Sequence, residues 1–181
     1  MNRRIIWRII PAVLLPYFML FGLAIIFFSP ESAAMGFIMD NVFRGNAWNV
    51  GLIILLFYVL ALGLCIAWLV ISLRKDYSAV WLAKIAMIVK TIHIPAFVAN
   101  FFLGIVFAIT IFTLPFTVIL IIFDCMMILL TGILSCTAVI AARRQQLITS
   151  NQKICFLIMQ FFFCADVVST ILLFRKLGKQ A

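Results

Sequence analysis

The sequence predicts an all-α fold, a bundle of transmembrane helices. Three observations carry this. The chain of 181 residues is 67% hydrophobic and only 10% charged. Its mean hydropathy is +1.31, far above what a soluble surface tolerates. Its apolar residues fall in runs of about 20 or more, the length that crosses a bilayer as a helix. Five such runs predict five spans, near residues 9–28, 48–73, 92–112, 116–142 and 154–174. A four-span arrangement is the alternative, with the first run left out.

The first run follows Arg3, Arg4 and Arg8 and contains Pro11 and Pro16. It is longer than the usual signal-peptide core of about 7 to 15 residues, so it reads as a retained span. Pro16 removes one helical hydrogen bond within it. A polar connection with Glu31, Asp40 and Arg44 leads to the second run, which begins at Trp48 and ends at Arg74-Lys75. Aromatic outside and basic inside fits a return to the cytoplasm. Gly51, Tyr58, Cys65 and Ser72 recur every seven residues there and mark a packing face.

Residues 76–91 are too charged to span but are amphipathic, with Lys84 and Lys90 opposite Trp81, Ile85 and Ile88. They predict a separate interfacial helix whose lysines snorkel toward anionic lipid headgroups on the cytoplasmic face. His93, the one histidine, belongs to the same interface as a helix-start residue. Next comes a hairpin of two spans broken at Thr113-Leu114-Pro115, because proline disfavours helix at the residue before it. Ala96, Asn100, Gly104 and Ala108 share one face of its first limb. Asp124, Thr131, Ser135 and Ala138 share one face of its second, which ends at Arg143-Arg144.

The last run carries Gln160 and Asp166, and its basic tail, Arg175, Lys176 and Lys179, falls outside in the five-span arrangement. With the N-terminus in the cytoplasm, Arg44 and these three lie outside, and the other ten Lys and Arg lie inside. The whole chain is one domain in the cell membrane. No fixed-period repeat divides it.

Several functions are excluded by what is missing. The net charge of +9 sits at the ends of apolar runs rather than on a polar surface, which removes nucleic acid as a partner. All five cysteines lie within apolar runs and form no C-x-x-C pair, so neither disulfides nor a metal site is expected. No H-E-x-x-H, G-x-S-x-G, Walker A or dinucleotide glycine pattern occurs, so neither enzyme nor cofactor is expected.

The candidate site is a polar constellation inside the membrane: Asp124, Asp166, Asn100, Thr131, Ser169 and Thr170. Counting residues from the outer helix ends places both acids about 12 Å below the outer boundary, at one depth and away from any Lys, Arg or His. An ionised carboxylate there costs about 2.5–3.5 kcal/mol or more on insertion scales. Each acid is therefore expected to be protonated, hydrogen-bonded to a neighbouring helix, or holding a cation. Partners considered for this role are Ser169, Thr170, Asn100, Thr110 and Tyr58.

His93-Ile-Pro95-Ala, Asn100-Phe, Asp124 and Gln160-Phe-Phe-Phe-Cys-Ala-Asp166 resemble small multi-spanning membrane proteins of Gram-positive bacteria that have no assigned function. The resemblance implies no activity. Two functional expectations follow from the residues. The first is a non-enzymatic accessory, assembly or regulatory membrane subunit, acting with a membrane-protein partner or as a homo-oligomer. The second is a small proton- or cation-coupled transporter or channel that uses the two carboxylates.

Overall fold

The computed structural model describes residues 7, 9–28, 36–37, 40–41, 47–109, 111 and 113–179, the side chains of 22–28, 47–48 and 50–51 excepted. Arg3, Arg4, Arg8, Glu31, Arg44 and Thr110 lie outside the described residues. Within them the chain is all-α, with six helices of ten residues or more. These are α1 (Ile10–Phe28), α2 (Ala47–Arg74), α3 (Ala79–Ala108), α4 (Leu114–Arg144), α5 (Ser150–Met159) and α6 (Ala165–Gly178).

Three of the described helices, α2, α3 and α4, are long and apolar enough to cross a membrane, not five. The expected first span corresponds to α1, a helix of 19 residues whose side chains are described over Ile10–Phe21. The expected fifth span is not one helix. It breaks at Gln160–Cys164 into α5 and α6, of 10 and 14 residues. At 1.5 Å per residue these reach about 15 and 21 Å, each short of a hydrocarbon core about 30 Å thick. They fold back on each other: Lys176 Nζ, near the end of α6, donates to Gln152 Oε1 in the first turn of α5.

The separate interfacial helix is also corrected. Residues 79–108 form one continuous helix of 30 residues. Its buried positions include Ala79, Leu82, Ala86, Val89, His93, Ala96, Asn100 and Phe107, a sequence of steps of three, four and seven that makes a single seam from end to end. Small residues in that seam let neighbouring backbones approach closely. Lys90 and His93 are therefore inside the bundle, whereas Lys84 is exposed.

Helix α4 is the centre of the bundle. Between Met127 and Ala142 it is buried on nearly every face. It packs most extensively against α3, and it also touches α1, α2, α5 and α6. Pro115 lies in its first turn, where a missing N–H costs no helical bond. The chain turns between Ala108 and Leu114, just before the expected break at Thr113-Leu114-Pro115, so Leu114 and Pro115 are already helical. Trp68 Nε1 on α2 donates to Thr137 Oγ1 on α4 at 3.4 Å, and the Trp68 and Trp81 rings lie 5.8 Å apart, tying α2 to α3.

Helices α2 and α4 end at the same end of the bundle, and each ends in the same way. Asp76 (φ 46°) and Gln146 (φ 58°) adopt the left-handed conformation. Tyr77 N then bonds Ser72 O at 3.5 Å and Leu147 N bonds Ala142 O at 2.9 Å. This is the Schellman pattern, which satisfies the last helical carbonyls. The two ends are stitched together: Gln145 Oε1 accepts from Ala79 N and Gln145 Nε2 donates to Tyr77 O, both at 3.1 Å.

Candidate functional site

The polar residues that the sequence places in the membrane form two separate clusters along α3. Neither contains both acids.

The first cluster surrounds Lys90. Its Nζ lies 3.2 Å from Asp166 Oδ2, 3.1 Å from the Asp166 backbone oxygen, and it donates to Gln160 Oε1. Lys90 is 2% exposed and Asp166 3%. Among the described residues Asp166 Oδ2 has no other polar partner, and the geometry to the ammonium is an ion pair rather than an aligned hydrogen bond. Asp166 Oδ1 accepts from Val167 N at 2.7 Å, so the carboxylate also stands at the N-terminus of α6, where the helix dipole favours a negative charge.

Gln160 completes this cluster. Its Oε1 accepts from Lys90 and, at 3.0 Å, from Thr170 Oγ1; two donors on one atom fix which end of the amide is oxygen. Its Nε2 is buried without a partner. Ser169 Oγ donates to the Asp166 backbone oxygen at 3.0 Å, and Thr170 Oγ1 shares its one proton between that oxygen, at 2.8 Å, and Gln160 Oε1. They serve the main chain and not the carboxylate.

The turn that carries these groups is seated on Gly132. A Cβ there would meet Phe161 Cε1 at 2.9 Å and Gln160 O at 3.2 Å, so a larger residue on α4 would make the turn shift. Cys164 closes the turn in the left-handed region, at φ 63°. Phe163 packs edge-on to Phe97 of α3 with ring centres 5.7 Å apart.

The second cluster lies higher on α3. Asn100 Nδ2 donates to Asp124 Oδ1 at 2.7 Å. One turn further, Thr117 Oγ1 donates to Gly104 O at 3.2 Å. Asn100 is buried and Asp124 half-buried. Thr131 and Ser135, expected on the same face as Asp124, are buried and bond back to their own helix, to Met127 O and Thr131 O at 3.1 and 3.0 Å.

The expectation that the two acids share one depth is therefore corrected. Asp166 sits beside Lys90 and Asp124 beside Asn100, ten residues away on one helix, which is about 15 Å of rise. The depth estimate assumed a straight fifth span, and the break at Gln160–Cys164 removes that premise. The same break gives Asp166 the basic partner that the sequence placed elsewhere, on a surface helix.

His93 closes the seam between the clusters and α1. Its ring nitrogens lie 2.7 Å from Val89 O and 3.1 Å from Ala12 O. A neutral ring has one N–H to give. Ala12 O is the acceptor without a helical donor, because residue 16 is the proline inside α1. A proton on Nε2 pairs with Ala12 O and one on Nδ1 pairs with Val89 O, so a proline on one helix and a histidine on another make one interaction when Nε2 carries the proton. Tyr17 Oη adds a second link between these helices by donating to Ile92 O.

Sequence reasoning missed Lys90 and Gln160 as members of the site and Gly132 as its support. The seam of α3 is the signal that could have found Lys90, since it sits between Val89 and His93 in the buried stripe. No family model, curated protein or solved structure matches the chain.

Proposed function

We propose that this chain is an integral membrane protein without a catalytic centre, an accessory or assembly subunit that acts through contacts between helices. The observation that supports this reading best is the Lys90–Asp166 pair. A carboxylate that carries protons or cations must come within reach of solution. Asp166 has its charge balanced by Lys90 and is enclosed by Gln160, Ser169 and Thr170. Its interactions hold the α5–α6 hairpin against α3. Such polar links between membrane helices are worth about 0.6–2 kcal/mol each for neutral groups, and breaking a buried ion pair costs about 3–5 kcal/mol.

On this reading α5 and α6 form a re-entrant hairpin whose turn meets α4 at Gly132 and leaves Phe161, Phe162 and Phe163 exposed to lipid. The tail then returns to the side of Arg74, Lys75, Arg143 and Arg144. Lys153, Arg175, Lys176 and Lys179 join them, which makes that end cytoplasmic by the positive-inside rule and removes the exception posed by a basic tail outside. The membrane is the cell membrane, and the exposed apolar flanks of α2 and α4 face lipid or a partner helix.

Ion flux into liposomes carrying the purified chain tests the proposal. The expected result is proton and monovalent-cation flux equal to that of empty liposomes. Flux that disappears in Asp166→Asn or Asp124→Asn would replace the accessory reading with a transporter. One observation favours that second reading: Asp124 is half-buried with its Oδ1 on Asn100, and among the described residues no basic group balances its charge in the way Lys90 balances Asp166.

A further inference from the structure

At the Arg74 end of the bundle, Ser72, Leu73, Asp76, Tyr77, Ala141, Arg144 and Gln145 line a pocket of about 220 Å³. This is smaller than the clefts of about 300–1,000 Å³ that hold drug-sized ligands, so its occupant is small. We propose that it binds the headgroup of an aminophospholipid, with the phosphate on Arg144 and the amine on Asp76. The inference rests on the membrane reading above.

The charges of the lining argue for a zwitterion. It holds one guanidinium and one carboxylate, and these are only loosely engaged with each other, at 3.9 Å and largely exposed. Arg144 Nη1 donates to Leu73 O at 2.7 Å, which fixes the guanidinium and leaves its other N–H groups for a phosphate. An anion alone would meet the Asp76 carboxylate and the negative ends of the α2 and α4 dipoles. An ammonium meets both favourably, with the Tyr77 ring beside it.

Position favours a lipid over a free solute. Ile66 and Val70 are exposed on α2 and share a face with Leu73, at spacings of four and three residues. This apolar track runs straight to the pocket, as acyl chains below a bound headgroup require.

The test is thermal unfolding of the full-length chain in detergent, titrated with short-chain phosphatidylethanolamine, phosphatidylcholine, phosphatidylglycerol and soluble phosphoethanolamine. Phosphatidylethanolamine is expected to raise the midpoint saturably, and phosphatidylcholine, which has no N–H to give Asp76, is not. Arg144→Gln should weaken half-saturation about tenfold or more, the loss of a charge-assisted bond. Asp76→Gly keeps the test independent of folding. Glycine suits φ 46°, so the lipid-free variant should be at least as stable as the parent and yet lose its response. Equal shifts from all three lipids, or a response unchanged in Arg144→Gln and Asp76→Gly, would overturn the site. A stronger response to phosphatidylglycerol would overturn the zwitterion. Soluble phosphoethanolamine matching the lipid would assign the pocket to a free ligand and overturn the lipid. A chain that needs detergent to stay dispersed but ignores phosphatidylethanolamine refutes this inference and leaves the membrane reading standing.

Discussion

Lys90 Nζ on α3 and Asp166 Oδ2 on α6 lie 3.2 Å apart, both almost fully buried, although the two residues are 76 positions apart in the chain. Removing one partner strands the other charge. Asp166→Asn and Lys90→Met should each lower stability by about 3–5 kcal/mol. The double variant Lys90→Met with Asp166→Leu should recover most of that loss, since apolar replacement of a whole buried pair is often neutral or better. Thermal unfolding in detergent of the parent, Lys90→Met, Asp166→Leu and the double variant gives the coupling directly.

Gly132 is where α4 admits the turn between α5 and α6. Gly132→Ala pushes a methyl against Phe161 Cε1, 2.9 Å away, and Gln160 O. The gain in helix propensity, about 1 kcal/mol, competes with that clash, so the effect should depend on Phe161. In the Phe161→Ala background Gly132→Ala should be stabilising or neutral. In the parent it should be destabilising by about 1 kcal/mol. Additive effects across this cycle would mean that the turn does not sit on Gly132.

Gln146 occupies a left-handed position, φ 58°, after the last turn of α4. A side chain there costs about 1 kcal/mol relative to glycine. Gln146→Gly should raise the unfolding free energy by about that amount. Gln146→Val should lower it by more, because a branched side chain tolerates φ above zero least.

His93 and Pro16 make a second coupled pair. His93→Phe leaves Ala12 O unpaired and should cost about 1–3 kcal/mol. Pro16→Ala supplies a helical N–H to that same carbonyl, so the cost of His93→Phe should fall in the Pro16→Ala background. An equal cost in both backgrounds would show that His93 does not satisfy Ala12 O.

The α3–α4 hairpin was legible because Pro115 and the neighbouring small residues carry local, physical signals. The Asn100–Asp124 contact joins two faces that could be read from a spacing of four. The α5–α6 break was not legible. Residues 154–174 contain neither glycine nor proline, and hydropathy counts residues without asking where polar ones find partners. Gln160 and Asp166 both reach Lys90 only if the chain turns between them, a tertiary reason that leaves no mark on the local sequence. Lys90 was misplaced for a related reason. Lys84, Lys90 and His93 make the start of α3 look like a surface helix, although Leu82, Ala86, Val89, His93 and Ala96 already continue the buried seam.

Labelling of single cysteines with a membrane-impermeant maleimide, in a variant with all five native cysteines replaced, tests the re-entrant hairpin most directly. Lys75→Cys, Ile111→Cys and Lys179→Cys mark the turn after α2, the turn between α3 and α4, and the tail; all three positions are exposed. The account predicts that residue 179 reacts from the same side as residue 75 and from the side opposite to residue 111. Residue 179 reacting together with residue 111 would mean that the last apolar run crosses the membrane, and would contradict the pairing of Lys90 with Asp166 on which the account rests.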